Sequence, residues 1–434
     1  MTAVRRRRAP LVLLTVSAFA VCSGADAGRT DTLRVALWAG GYELDVESRV
    51  VRAYEEANPG TRVLLESAPT GYEERLLTSI AAGHPPDVYL MDAPDIPTFV
   101  DRGLALDLSP YLQGIGFDPD LVFPQVLEAF ARGDALFALP KDFTPMVIYV
   151  NRNVAAAAGV EAPGASGWSW DQFADAVRSA THDEDGDGRP EIYGFDFPRN
   201  LYQWVPFVWS AGGDILAGDG RRASGAMDAP KALSAYRFLT GLVREGLTPG
   251  AQFLQQGDPA REARFASGGQ AFLLSGHWTL RVFRDMVEDG TLDLDVAPVP
   301  HAPDQDRATT VLYASGWAVP PNASDRRKAI HLAAFLASPT AQRIRARSGL
   351  AISSRTDVAA DMAALDETGI ERAFLELVAG ARMTWGARIR DFRRVEALAV
   401  EIMDRHLLEG VPLEDAARDV ALRIDDELRR GIRP

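Results

Sequence analysis

The first part of the chain after residue 30 alternates between strand-like and helix-like hydrophobic patterns, and this alternation limits the folds that are open to it. Apolar residues recur at every second position or in short runs in three segments, and at helical spacing in two segments between them. The order β-α-β-α-β predicts a mainly parallel α/β sheet covered by helices. The five segments are Leu33–Leu37, Glu43–Ala57, Val63–Glu66, Tyr72–Ile80 and Val88–Met91.

A second unit of the same kind follows Pro140. Met146–Val150, Ala271–Leu274 and Asp293–Val299 read as strands, and Ser169 is expected to cap a helix that follows it. With 434 residues, the chain is long enough for two domains. No low-complexity linker separates the units, so the sequence predicts two interleaved lobes.

The N-terminus has the pattern of an export signal. Arg5–Arg8 are basic, Ala9–Val21 form an apolar run too short to span a bilayer, and Ala25-Asp26-Ala27 fits a small-x-small cleavage site. Residues 1–27 are therefore predicted to be a signal peptide, which places the mature protein in the periplasm or outside the cell. Two alternatives stay open: a short membrane anchor, or a lipoprotein tethered through Cys22.

The bulk composition excludes several classes of protein. Hydrophobic residues make up 47% and charged residues 24%, which is typical of a globular chain. The formal net charge of -14 argues against nucleic acid and anionic membranes as partners. The chain has one cysteine, Cys22, so it cannot form an internal disulfide.

The loops after the first three predicted strands are candidates for a binding site. In open α/β sheets, ligands bind beyond the carboxyl ends of the strands. These loops combine aromatic or acidic side chains with Gly or Pro, and sugars are bound by aromatic faces and by carboxylates that accept from their hydroxyls. The residues in question are Trp38 and Tyr42, then Tyr72, then Asp92 and Asp95.

The tryptophans give further candidates. Trp38 and Trp278 both follow a predicted strand and adjoin glycine, which favours a place at a site. Trp204, Trp317 and Trp385 lie in contexts that suit either a site or a hydrophobic core, and burial in a core is the ordinary place for a tryptophan.

One acidic segment has the beginning of a calcium-binding pattern. Asp183, Asp185 and Asp187 alternate, with Gly186 available for a sharp turn. The twelfth position of such a loop is Gly194, where calcium loops carry a bidentate Glu. An acidic turn without metal is therefore favoured over a structural calcium site, and no other cofactor is expected.

Motifs for covalent catalysis are absent from the sequence. There is no Gly-x-Ser-x-Gly nucleophile elbow, and the six histidines do not show the paired spacing of a zinc site. A pair of carboxylates of the glycosidase type stays open, because 60 acidic residues always offer some pair.

Several segments, in this order, resemble the extracellular solute-binding proteins of carbohydrate ABC importers, of the maltose-binding type. The resemblance covers nearly all of the chain after the signal segment. It rests on Tyr54–Gly60 with its Asn-Pro-Gly stop, Gly83–Val88, Val100–Leu108, Leu139–Asp142 with Ile148–Asn151 and Ala158–Val160, Gly268–Phe272 with Ser275–Trp278, and Phe335–Gln342.

The resemblance implies a two-lobed periplasmic-binding-protein-like fold of type II, with mixed, mostly parallel sheets and a ligand cleft between the lobes. It implies an N-terminal lobe of residues 28–140 plus 300–350 and a C-terminal lobe of 141–299 plus 351–434. Crossing segments are expected near Leu139–Pro145, Val299–Ala308 and Gly349–Ser353.

The same resemblance implies a monomer that binds a sugar, oligosaccharide or polyol and delivers it to the membrane subunits of an importer, without catalysis. A secreted carbohydrate-active enzyme and a receptor domain that feeds a sensor are the alternatives. The implied cleft contacts are Trp38, Tyr42, Tyr72, Asp92, Asp95, Asp142, Trp204, Gly276, Trp278, Ser315, Trp317 and Trp385.

Overall fold

The computed structural model describes residues 31–164, 167–197, 199–249, 258–306 and 308–431. The predicted signal peptide and Cys22 lie outside these residues. The strands are Asp31–Leu37 (β1), Thr61–Ser67 (β2), Val88–Asp92 (β3), Ala131–Arg132 (β4), Ala135–Leu136 (β5), Leu139–Pro145 (β6), Val147–Asn151 (β7), Tyr193–Phe195 (β8), Gln270–Ser275 (β9), Leu294–Ala297 (β10), Thr310–Ala318 (β11), Ile352–Ser353 (β12) and Ala381–Met383 (β13).

Helices follow or precede most of these strands along the chain. In chain order they are Gly41–Ala57 (α1), Tyr72–Ala81 (α2), Ile96–Asp101 (α3), Pro124–Ala129 (α4), Arg152–Ala157 (α5), Trp170–Ala180 (α6), Leu201–Ser210 (α7), Pro230–Arg244 (α8), Asp258–Ala266 (α9), Leu280–Glu288 (α10), Arg326–Leu336 (α11), Pro339–Ala346 (α12), Thr356–Leu365 (α13), Ile370–Val378 (α14), Phe392–Ala399 (α15), Glu401–Leu408 (α16) and Leu413–Gly431 (α17).

The first sheet defines lobe I and has the strand order β12-β6-β11-β3-β1-β2, with β13 paired to β11. β1 pairs in parallel with both β2 and β3, which confirms the parallel β-α-β-α-β unit predicted from the N-terminal pattern. β11 runs antiparallel between β3 and β6, so the sheet is mixed. Residues 88–91 of β3 are buried, as expected of a central strand that is covered on both faces.

The second sheet defines lobe II and has the order β10-β7-β9-β8. β6 belongs to lobe I and β7, which starts two residues after β6 ends, belongs to lobe II, so the chain crosses between the lobes there. A second crossing lies between β10 and β11. The result is the two-lobed α/β fold of periplasmic binding proteins.

Two strands belong to a different lobe from the one that the resemblance implies for their residues. β12 and β13 lie in the first sheet, although the resemblance implies that residues 351–434 belong to the C-terminal lobe. Both are short strands that add hydrogen bonds to strands of lobe I, β12 to β6 and β13 to β11. The helices after β13 return to lobe II, where α16 and α17 pack against α8.

The first turn of α6 in lobe II is capped by the residue that the sequence predicts. Ser169 accepts a hydrogen bond from the backbone N–H of Gln172, and the Gln172 side chain accepts from the backbone N–H of Ser169. This reciprocal pair is a capping box, which satisfies two N–H groups at the start of α6. The cap predicted at Ser169 is confirmed.

Candidate functional site

A cavity of about 420 Å³ opens between the two lobes. Lobe I contributes the residue after β1, the end of β3 and interior residues of β6 and β11, and lobe II contributes α7 and the turn after β9. A further wall comes from α15. The cavity is lined by Trp38, Glu43, Asp92, Lys141, Asp142, Phe143, Thr144, Tyr202, Trp278, Tyr313, Ala314, Ser315, Leu350, Ala351, Arg393 and Glu396.

Three polar residues form a row across the sheet of lobe I. Ser315 of β11 stands opposite Asp142 of β6 on one side and opposite Asp92 of β3 on the other. The Ser315 hydroxyl donates a hydrogen bond to the Asp142 carboxylate. The pairing of three neighbouring strands therefore brings together residues that are far apart in sequence, and all three line the cavity.

The aromatic walls come from both lobes. Trp38 follows β1 and packs edge-on against Tyr72, with ring centroids 5.5 Å apart. Tyr72 is not part of the lining, and its hydroxyl donates a hydrogen bond to the carbonyl of Leu90 at 2.6 Å, which fixes the ring that packs against Trp38. Tyr202 of lobe II and Tyr313 of lobe I also meet edge-on, at 5.7 Å.

Gly276 explains the position of the tryptophan from lobe II. A Cβ at this residue would lie 2.3 Å from the nearest atom of the Trp278 ring, so only glycine leaves room for the ring. The Gly276 carbonyl accepts a hydrogen bond from the Tyr149 hydroxyl at 2.9 Å, and the next backbone N–H donates to Thr144 Oγ1 at 2.7 Å. These bonds fix the turn that carries Trp278.

Lys141 lies at the floor of the cavity, with 3% of its side chain exposed. Its ammonium nitrogen is 2.6 Å from Asp142, 3.5 Å from Glu43 and 3.7 Å from Glu47. Burial alone would lower the pKa of Lys141, but the three carboxylates outweigh it and the pKa is raised. The lysine is therefore held in its charged form.

Arg393 of α15 forms ion pairs with a second group of carboxylates. Its guanidinium is 2.8 Å from Asp92, 3.1 Å from Asp95 and 3.3 Å from Glu396. Burial raises the pKa of Asp92 to about 6 and that of Glu396 to about 7, although Arg393 opposes both shifts. The pKa of Asp95 is also raised by burial.

Five of the twelve residues expected in the cleft line the cavity: Trp38, Asp92, Asp142, Trp278 and Ser315. Three more stand directly behind this lining and hold it in place, namely Tyr72, Asp95 and Gly276.

Tyr42 lies outside the cavity at the start of α1, with 39% of its surface exposed. The guanidinium of Arg281 from lobe II stands 4.6 Å from the centroid of its ring. The two side chains thus meet between the lobes near the cavity, whereas the sequence predicts a direct contact between Tyr42 and the ligand.

The structure does not bring Trp204, Trp317 and Trp385 to the cavity. Trp204 and Trp317 are fully buried, the first in the core of lobe II and the second in β11 under the guanidinium of Arg345. Trp385 packs in the core of lobe II and donates its indole N–H to Asp214 at 2.7 Å. In all three cases hydrophobic packing takes the ring away from the cleft.

Sequence reasoning missed several residues of the cavity. Tyr313 had a usable signal, because it lies two positions before Ser315 in the same strand and so points to the same face. Tyr202 stands in an aromatic-rich segment, which does not by itself single out one ring. Arg393 and Glu396 had no local signal, since only the packing of α15 against lobe I brings them to the site.

The acidic turn at residues 183–188 is held by its own backbone. Asp183 accepts hydrogen bonds from the N–H groups of Gly186 at 2.8 Å and Gly188 at 2.9 Å, and Asp185 accepts from Asp187 at 3.0 Å. Oxygens of the three aspartates lie within 4.8 Å of one another. The acidic turn without metal stays the favoured interpretation and calcium binding the alternative, and a rise in unfolding temperature on adding calcium would support the alternative.

Two sheets joined by crossing strands, with a cavity lined from both lobes, define a two-lobed binding protein. Residues 49–369 match the family model described as bacterial extracellular solute-binding protein, and the chain belongs to this family. Across the residues that the structure describes, no helix has the length and apolar character needed to span a membrane.

Known proteins are similar over most of the chain. A Brucella abortus protein named as a binding protein is 26% identical over 316 residues, which are 70% of this chain and 71% of that protein. The maltotriose-binding protein of Pyrococcus abyssi is 22% identical over 261 residues, or 59% of this chain and 51% of that one. An ABC substrate-binding protein from Listeria monocytogenes, solved with cycloalternan, superposes with a TM-score of 0.79 at 20% identity and covers 92% of this chain and 98% of that one.

Proposed function

We propose that this protein captures a carbohydrate in the interlobe cavity and delivers it to the membrane subunits of an ABC-type importer. The observation that carries the proposal is the lining of the cavity, in which aromatic rings and carboxylates converge from both lobes. Trp38 and Tyr313 belong to lobe I, and Tyr202 and Trp278 to lobe II.

The chemistry of this lining suits a sugar. Flat aromatic rings pack against the C–H faces of a pyranose, and carboxylates accept hydrogen bonds from its hydroxyls. Asp92 and Asp142 flank Ser315 on its two sides and all three line the cavity, so several acceptors lie close together there. A ligand that contacts both lobes also favours the closed conformation, because some of its contacts exist only when the lobes are close together.

The names of related proteins support the same ligand class. One relative is named for maltotriose, and one structural neighbour was solved with cycloalternan. The proposed delivery to membrane subunits rests on the family, and the proposed export rests on residues 1–27. Mass spectrometry of the mature chain would distinguish cleavage after Ala27 from lipidation at Cys22.

A glycosidase is the second candidate, because three carboxyl groups that line the cavity, those of Glu43, Asp92 and Glu396, have a raised pKa. Glu43 shares the ammonium group of Lys141 with Asp142, which keeps these two on one wall. Glycosidases place their two carboxyl groups on opposite sides of the bond they cleave. Asp92 and Glu396 instead bind the same guanidinium, at 2.8 and 3.3 Å, so they stand side by side on one wall. The proposal therefore assigns no catalytic step to them.

A thermal-unfolding screen tests the function. The mature protein is heated with a panel of sugars, oligosaccharides, polyols, sugar phosphates and amino acids, and each well is then assayed for hydrolysis products. A ligand at 100 times its Kd adds about 2.7 kcal/mol of stability, which shifts the unfolding temperature visibly. A shift with a subset of carbohydrates and no products is expected. Products would support the enzyme, and a shift with amino acids alone would contradict the ligand class.

A further inference from the structure

We propose that the preferred ligand is an amino sugar, that is, a carbohydrate that carries a protonated amino group. This inference rests on the proposed function and narrows its substrate class. It follows from the balance of charge around the cavity, together with the aromatic faces that line it.

Lys141 and Arg345 serve the first group of carboxylates. Lys141 contacts Glu43, Glu47 and Asp142, and Arg345 makes two hydrogen bonds of 2.8 Å to Glu47. Three carboxylates thus share two cations. Arg345 pairs with Glu47, which leaves Lys141 between Glu43 and Asp142, the two carboxylates of this group that line the cavity.

Among the residues that the structure describes, Arg393 is the cation that pairs with the second group. Asp92, Asp95 and Glu396 all lie within 3.3 Å of its guanidinium. With all six acids ionised, the two groups together carry three more negative than positive charges. The raised pKa values of Glu43, Asp92, Asp95 and Glu396 are consistent with this excess, since burial and neighbouring carboxylates both oppose ionisation.

The two basic side chains that line the cavity are therefore already paired with carboxylates of the protein. Lys141 and Arg393, the two basic residues of the lining, each contact three carboxylates, so a phosphate or carboxylate on the ligand would have to compete for them. An ammonium group on the ligand would instead be attracted to these carboxylates, because the cations of the protein do not balance all of their negative charge. The cavity thus favours a cationic over an anionic ligand.

The aromatic lining points independently to the same kind of ligand. Trp38, Tyr202, Trp278 and Tyr313 all line the cavity. A ring face attracts an ammonium group as well as the C–H face of a sugar, and the attraction is strongest for tryptophan. A saccharide with one amino group in place of a hydroxyl uses both the rings and the carboxylates.

Calorimetric titration of matched sugar pairs tests the inference. Glucose, cellobiose and maltose are each compared with the counterpart in which one 2-hydroxyl is replaced by an amine, at about pH 7 where most amines are charged. We expect the amino member of at least one pair to bind about tenfold or more tightly than its neutral partner, and the ratio to fall as salt is added. Glucose 6-phosphate should bind more weakly than glucose.

Two variants separate the cavity from the overall charge of the protein. Glu396→Gln removes a carboxylate from the cavity and should reduce the preference for the amine. Glu56→Gln removes one from the exposed side of α1 and should leave the preference as it is. An equal effect of both variants would contradict a role for the cavity carboxylates.

The outcomes distinguish this inference from the proposed function. If the neutral member of every pair that binds is bound as tightly as the amino member, the amino-sugar inference fails and the carbohydrate function stands. Spermidine is titrated in the same way as a cation without a sugar ring. If it binds more tightly than every sugar, the cavity selects a polyamine, and both the amino-sugar inference and the carbohydrate function fail. If no sugar of the pairs or of the screen binds, both fail as well.

Discussion

At the scale of single residues, two tryptophans of lobe II, Trp278 and Trp204, differ in their surroundings. Trp278 lines the cavity on a turn that Gly276 leaves open, whereas Trp204 is fully buried against Tyr236 in the core of lobe II. Substitution of each residue by alanine should therefore affect different properties.

Trp278→Ala is expected to lower affinity for the carbohydrate ligand about tenfold or more, with an unfolding temperature near that of the parent protein. Trp204→Ala should destabilise the fold by about 3–5 kcal/mol, because it leaves a large cavity in a packed core. Calorimetry and urea unfolding measure the two effects. A Trp278→Ala variant with unchanged affinity would remove this residue from the site.

Gly276→Ala should weaken binding through the ring of Trp278. The added Cβ would lie 2.3 Å from the nearest ring atom, so the ring must move away from its place in the cavity. A decrease in affinity together with a changed tryptophan fluorescence spectrum is expected.

Gly241→Ala is the matched control for this change. Gly241 lies in α8, and a Cβ added there would have no neighbour within 4 Å. Alanine should therefore raise helix stability by about 0.5–1 kcal/mol and leave binding unchanged. Equal affinities for the parent protein and Gly276→Ala would show that the position of Trp278 does not depend on Gly276.

The sequence could predict residues at strand ends but not those brought in by long-range packing. Trp38 and Asp92 directly follow predicted strands of a parallel unit, so the rule that ligands bind beyond the strand ends of α/β sheets applied to them. Trp317 lies inside β11, where sequence context does not distinguish a buried ring from an exposed one. Arg393 and Glu396 depend on how α15 docks, which no local pattern encodes.

At the scale of secondary-structure elements, the alternation of strands and helices from β1 to β3 follows directly from hydrophobic periodicity. The insertion of β11 between β3 and β6 does not, because β11 is separated from both strands by more than a hundred residues. Pairing at that distance is decided by burial of whole strand faces, and it is also what assembles Asp92, Asp142 and Ser315.

The contact between α1 and α12 includes a buried ion pair that should matter for stability. Arg345 is 4% exposed and Glu47 1% exposed, and they form two hydrogen bonds of 2.8 Å. Arg345→Met leaves Glu47 with Lys141, at 3.7 Å, as its one ion-pair partner among the described residues, and should cost about 3–5 kcal/mol at neutral pH. Arg62→Met removes the exposed Arg62–Glu55 pair and should cost at most about 1 kcal/mol.

The same pair predicts a dependence on pH. Burial alone would raise the pKa of Glu47, but Arg345 and Lys141 outweigh it and the pKa is lowered. Such a carboxylate stabilises the fold above its pKa in the unfolded chain, and the contribution is lost as the pH falls through its pKa in the folded protein. Urea unfolding should show the difference between parent and Glu47→Gln shrinking from neutral to acidic pH. A constant difference would contradict the assignment.

At the scale of the whole molecule, binding should bring the lobes together. The cavity is lined by both lobes, and Tyr42 of lobe I meets Arg281 of lobe II near it, so a ligand that contacts both lobes favours closure. Small-angle X-ray scattering should show a smaller radius of gyration with saturating ligand. Trp278→Ala at the same ligand concentration should show a smaller change. An increase on binding would contradict closure around the ligand.

The most direct test is a crystal structure of the protein with the tightest-binding carbohydrate from the screen. We predict density for the sugar between Trp38 and Trp278, with its hydroxyl or amino groups on the carboxylates of Asp92, Asp142 or Glu396. Density that contacts one lobe alone, or that lies outside this cavity, would contradict the proposal that the cleft between the lobes is the binding site.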